Sequence, residues 1–246
     1  MFPIRDHNPS ERRPLITYAI ITANILVFIY QWPLASDDAA LSAFFRDWAL
    51  FPAAVTGGAE YHGLFTSMFL HAGIMHIVGN MLFLWIFGDN LEDQMGHFGF
   101  LLFYIASGLI ASFAQIAADP GSTVPTVGAS GAIAGVMGGY LLLFPRARVD
   151  IIIIFVVLFR IFTIPAWIVL SIWFGLQLFG GFGTSTEGGG IAYWAHAGGF
   201  IAGALLTLPV WLKRGGAQFW ALTHGQPPHP ETMLSPSTIP LIRRRR

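Results

Sequence analysis

The residues from Leu15 to Trp32 carry no charge, and further apolar runs begin near Ile74, Phe98, Val127, Ile164 and Ile191. A helix needs about 17–25 such residues to cross the hydrocarbon of a bilayer, where backbone groups have no water to bond and must pair within the chain. The chain is therefore expected to be an all-α polytopic membrane protein with six transmembrane helices. Composition agrees: 54% of residues are hydrophobic and 11% charged, and the mean hydropathy is +0.62. There is no cysteine, which excludes disulfides, iron–sulfur clusters and thiolate zinc sites.

Three parts are expected. Residues 1–14 form a polar cytoplasmic segment with Arg5, Arg12 and Arg13; residues 15–214 form the membrane domain; residues 215–246, rich in proline and polar residues, read as a disordered cytoplasmic tail. A basic flank before an apolar run also fits a signal peptide, with Pro33-Leu34-Ala35-Ser36 as its cleavage site. The run exceeds a signal core, so a retained first helix is the better reading. From Pro33 to Tyr61, charges punctuate Leu41, Phe44, Phe45, Trp48, Leu50 and Phe51, the pattern of a segment lying in the interface. Span two is expected to end in an acidic turn, Asp89 to Asp93. Ile151 to Phe159 reads as a β-branched surface segment ahead of Arg160, with span five running from about Ile164 to Gly181. Gly183 to Gly190 reads as a flexible loop.

Six spans place both termini on one side. Of the 13 basic residues, Arg46 alone falls on the opposite side, which makes the shared side cytoplasmic. Spans two, four and six then enter from the outer face, and each carries polar residues within about two turns of that end, roughly 5–10 Å deep. These are His71 just before span two, His76 and Asn80 within it, Ser130 in span four and His196 in span six. Polar side chains at membrane depth mark a functional site by default.

Each has an ordinary explanation on its own. Ser130 suits a helix cap or a packing position, His196 a hydrogen-bonded interior histidine, and His76 with Asn80 an interhelical clamp. At one shared depth they read as catalytic apparatus. Gly131, Gly135 and Gly139 recur at four-residue spacing, as do Gly199 and Gly203 on the face of His196. Such faces let two helices approach closely and bring Ser130 Oγ to His196 as nucleophile and general base. His76, Asn80 and the Ser130 backbone N–H are candidate oxyanion donors. His71 is assigned a structural role, bonding loop backbone under the first connection. Spans four and six and the outer end of span two hold no acidic residue, so a Ser–His dyad is expected rather than a triad.

His71-Ala72-Gly73-Ile74-Met75-His76-Ile77-Val78-Gly79-Asn80, Gly128-Ala129-Ser130-Gly131, and Ala195-His196-Ala197-Gly198-Gly199 with Gly203 resemble, in order, the three signatures of the rhomboid family of intramembrane serine proteases. The resemblance covers about residues 10–214. It implies a rhomboid-like six-helix bundle that cleaves transmembrane segments of other proteins near the outer leaflet, with Ser130 as nucleophile, His196 as base, and His76, Asn80 and the Ser130 amide as oxyanion hole. It implies no metal and no ATP, and no nucleic-acid partner is expected. The partners are transmembrane-helix substrates and the lipid bilayer, and the expected location is a prokaryotic plasma membrane with the site facing outward. Span five, Trp167 to Phe179, would be the lateral gate.

Two departures stand out. Many members carry Trp-Arg where His62-Gly63 precede Leu64-Phe65-Thr66, and many place an aromatic four residues after the serine, where this chain has Ala134. Other classes fit less well. A transporter would hold its polar path at the midplane, and a histidine metal or haem site built from His71, His76 and His196 would lack carboxylates and the His-Glu-x-x-His pattern. An inactive, client-binding relative should have lost Ser130 or His196, and both are present.

Overall fold

The computed structural model describes residues 2–155, 158–183 and 191–227. Apart from Gly183, the loop expected over 183–190 lies outside them, as does the arginine-rich end. Among the described residues, four helices are long and apolar enough to cross a membrane. They are α1 (Leu15–Gln31, extended by a 3₁₀ turn over Trp32–Ser36), α5 (Ile74–Ala118), α7 (Ala166–Gly183) and α8 (Tyr193–Lys213). Between α1 and α5 lie α2 (Asp38–Trp48), α3 (Pro52–Thr56) and α4 (Gly63–Thr66), and α6 spans Ser130–Leu143.

Two expectations about the spans change. The acidic residues Asp89 to Asp93 are helical, and the break between the second and third apolar runs falls later, at Gly96, where φ is 72° and ψ 164°, so that α5 consists of two helical arms, 74–95 and 97–118, joined at a kink. Glycine alone adopts that conformation at no steric cost. The acidic stretch instead serves another helix. Pro14 leaves α1 without a side-chain cap or an acidic first turn, and buried Glu92 accepts the N–H groups of Ile16 and Thr17, each at 2.8 Å, and the Thr17 hydroxyl at 2.7 Å. A carboxylate there satisfies orphan donors and complements the helix dipole.

The fourth run is the second change. Its helix α6 has only 14 residues, about 21 Å at 1.5 Å each, too short to cross alone. It is nearly all buried between α5 and α8. Enclosed by protein, it can be preceded by the non-helical stretch 126–129, because irregular backbone at membrane depth is tolerated where it is buried or lines a cavity.

The all-α expectation also meets a correction. At the C-terminal end of α6, three antiparallel strands, β1 (Phe2–Asp6), β2 (Arg148–Phe155) and β3 (Leu158–Pro165), form a sheet in the order β1-β2-β3. The run Ile151–Ile154 is β-branched, which suits a pleated surface, and Arg160 is exposed on β3. Asp150 ties the polar end together, accepting from Arg5 at 3.0 Å and Thr163 at 2.5 Å and bonding His7 at 3.0 Å. The start of the tail is ordered as α9 (Ala217–Thr223), where Trp220 donates its indole N–H to the Leu142 carbonyl at 2.9 Å.

Burial pushes the Asp150 carboxyl upward, but hydrogen bonds from Thr163, His7 and Arg5 outweigh it and hold the group below its ordinary value of 3.8. A depressed carboxylate contributes stability above its unfolded value and loses it as pH falls through its folded value. Acidification below 3.8 should therefore release β1 from β2. Limited proteolysis near residues 2–6 checks this, and Asp150→Asn should be cut at neutral pH; equal resistance of both proteins at all pH values counts against it.

The first connection is anchored without Trp-Arg. The His62 ring bonds the Asp47 carbonyl at 2.7 Å and meets Trp48 edge-on, and Thr66 Oγ1 donates to the Trp48 carbonyl at 2.6 Å. Gly63 fits because a Cβ there would sit 2.6 Å from the Ala49 carbonyl oxygen.

Candidate active site

The glycine faces of α6 and α8 meet as their spacing predicts. A Cβ at Gly199 would run into the Gly131 carbonyl, one at Gly203 into that of Gly135, and one at Gly138 into that of Phe200. Only hydrogen fits between these backbones. The close crossing brings the side chains at the start of each helix together: Ser130 Oγ stands 2.7 Å from His196 Nε2.

Gly128 prepares the turn before Ser130. Its φ is 126°, its N–H donates to the Ser67 carbonyl at 2.9 Å, and a Cβ there would lie 2.8 Å from the His76 ring. The chain thus passes directly over His76 before α6 begins. Ser130 is the first residue of that helix, so its N–H has no intrahelical acceptor.

His76 and Asn80 share one face of α5, as their spacing requires. His76 Nδ1 accepts the Ala72 N–H at 3.3 Å. In the neutral ring this leaves the proton on Nε2, on the edge of the ring that faces the Gly128 turn. Asn80 is little exposed and lines the cavity, and among the described residues its Nδ2 has no hydrogen-bond partner, which leaves the amide donor available to a group in the cavity.

These residues line a cavity of about 1030 Å³, together with Trp173 and Gln177 of α7 and residues 191–194, which lead into the first turn of α8. The cavity walls combine apolar surface with convergent polar groups, the usual make-up of a ligand site.

His71 takes a structural place beside the site. It is fully buried behind His76, their rings edge to face at 5.1 Å. The Phe69 backbone is near it, yet neither ring nitrogen meets hydrogen-bonding geometry. Its backbone is what ties the loop: the Gln31 amide donates to the His71 carbonyl at 2.5 Å and accepts the His71 N–H at 3.3 Å.

The sequence reading missed two neighbours of His196. Trp173 packs on the imidazole with ring centroids 5.8 Å apart, filling the role that an aromatic at position 134 would have had, and Gln177 Oε1 lies 2.8 Å from His196 Nδ1. Both sit in an apolar helix where a tryptophan and one amide look like ordinary filling. The one signal available was their four-residue spacing.

Residues 58–213 match the model of the Rhomboid domain. Bacillus subtilis YdcA, whose rhomboid-protease name is provisional, is 35% identical over 136 residues, 50% of this chain and 68% of YdcA. Rhomboid protease GluP of the same organism is 33% identical, covering 52% of this chain and 24% of its own length. Yeast Rhomboid protein 1, mitochondrial, is 29% identical over 77% of this chain and 51% of its own length. The relatives come from both bacteria and mitochondria, so they support an integral membrane protein and not the prokaryotic plasma membrane in particular. With most of its length under the family model and its three polar patches converging in space, this chain belongs to the rhomboid family.

Proposed function

We propose that the chain is an intramembrane serine protease that hydrolyses peptide bonds in or near transmembrane segments of membrane proteins. The observation that carries this reading is the 2.7 Å contact between Ser130 Oγ and His196 Nε2 on the wall of a cavity large enough for peptide and water.

The roles follow from the donors and acceptors. Ser130 Oγ attacks the scissile carbonyl carbon while its proton passes to His196 Nε2. The carbonyl oxygen takes the negative charge, and His76 Nε2–H, the Asn80 amide and the Ser130 N–H are the donors suited to hold it. His196 then gives its proton to the departing amine as the carbon–nitrogen bond breaks, leaving an acyl-enzyme on Ser130. Water from the cavity repeats the attack, its proton passing to His196 and then to Ser130 Oγ as the acid leaves. No cofactor enters this sequence. A substrate helix must first unwind to expose its carbonyl, so segments of low helix propensity are the favoured targets.

Six crossings fit this function: α1, the arms 74–95 and 97–118 of α5, then α6, α7 and α8. Both termini are then cytoplasmic by the distribution of basic residues, and the site opens to the outer side, where water can enter.

Labelling by a fluorophosphonate serine probe in mild detergent tests the reading. Wild type should label, and Ser130→Ala and His196→Ala should fall to background while melting like wild type. A folded wild type that neither labels nor cleaves a helix-breaking transmembrane substrate in liposomes would instead support an inactive, client-binding relative.

A further inference from the structure

Among the described residues, the His196 ring has two side-chain partners besides Ser130, and both come from α7. Trp173 lies against its ring and Gln177 meets its other nitrogen. They are four residues apart and so share one helix face.

The hydrogen bonds around Gln177 fix a direction. Its Nε2 donates to the Trp173 carbonyl at 3.3 Å, and a carbonyl can only accept, so the amide oxygen is the end turned toward His196. That oxygen can in turn only accept, so at 2.8 Å it requires a proton on His196 Nδ1. A neutral imidazole with its proton on Nδ1 has its lone pair on Nε2, the atom 2.7 Å from Ser130 Oγ. Polarity therefore runs one way, from the serine hydroxyl through the ring to a backbone carbonyl of α7. The other tautomer would turn N–H toward the serine and could take no proton from it.

We propose that Gln177 is a positioning residue that selects the productive tautomer of His196, and that α7 thereby governs whether the base is competent. The proposal rests on the protease reading, with Gln177 acting through the ring and not on substrate. A neutral amide does this without burying a charge, the cost that an aspartate in this place would carry.

The test uses the full chain in detergent micelles, with ¹⁵N-labelled histidine, and a helix-breaking transmembrane substrate in liposomes. The His196 resonances are identified by their loss in His196→Ala. Wild type should show a protonated Nδ1 and an unprotonated Nε2. Gln177→Leu, similar in size but without an acceptor, should show both tautomers and lose about 100-fold in kcat with KM unchanged, comparable to a general base's lower contribution. Gln177→Glu restores an acceptor oxygen and should recover much of the rate. Wild-type nitrogen shifts in Gln177→Leu would overturn the proposal, as would an unchanged kcat. A Leu variant whose loss Glu does not relieve would also count against it, by assigning the effect to packing. The nitrogen spectrum needs no turnover. An inactive wild type would sink the protease reading while the tautomer result still decides the role of Gln177.

Discussion

Gly199→Ala should abolish fluorophosphonate labelling of Ser130 and lower the melting temperature in detergent. The added Cβ would run into the carbonyl oxygen of Gly131, the residue that follows Ser130. Backbone cannot rotate aside as a side chain can, so α6 and α8 must separate. Overpacking of this kind costs about 1–3 kcal/mol, which exceeds the roughly 1 kcal/mol that alanine contributes over glycine in a helix. The catalytic consequence is larger. The Ser130–His196 contact of 2.7 Å has little slack, and a misplacement of about 1 Å at a reacting centre costs on the order of 10²-fold in rate. Gly175→Ala is the control, because nothing lies within 4 Å of a Cβ there. It should label normally and melt no lower than wild type. Equal labelling of Gly199→Ala and Gly175→Ala would show that the close crossing is not what assembles the pair.

That crossing was readable in the sequence because glycine spacing reports backbone separation directly. Gly199 and Gly203 can have little other reason to recur beside His196 on one apolar face. Ser130, His76 and Asn80 were readable for a related reason: a polar side chain at membrane depth is costly, so several at one depth imply a shared site. Features that depend on a distant partner were not readable. Nothing in Phe2–Asp6 announces that it will pair with a strand near residue 150. The charges from Asp89 to Asp93 resemble a turn until α1 is seen to need Glu92 at its uncapped start. The break then moves to Gly96, an ordinary glycine in the sequence. The tie between the His71 backbone and Gln31 was not readable either, because it joins residues far apart in the chain. Trp173 and Gln177 were hidden by the apolar helix around them, where rotation about the helix axis decides whether a residue meets His196 or lipid.

Asn80→Ala should reduce kcat by about 10²- to 10³-fold, the usual cost of removing one oxyanion donor, without lowering thermal stability. The two effects separate because of what the folded protein does with this amide. Among the described residues nothing bonds Asn80 Nδ2, so deleting the amide strands no protein partner. The loss of side-chain packing is tempered by a site already open to the cavity. A clamp between helices would behave oppositely: its deletion would leave another polar atom stranded and lower the melting point by several degrees while affecting rate only through misfolding. KM sharpens the distinction. A donor that engages only the charged oxygen stabilises the transition state and not the bound substrate, so kcat and kcat/KM should fall together with KM nearly constant. Measuring both constants and the melting temperature for Asn80→Ala therefore tests one statement from two directions. A stability loss with kcat preserved would return Asn80 to the role of a structural amide and leave His76 and the Ser130 N–H as the oxyanion donors.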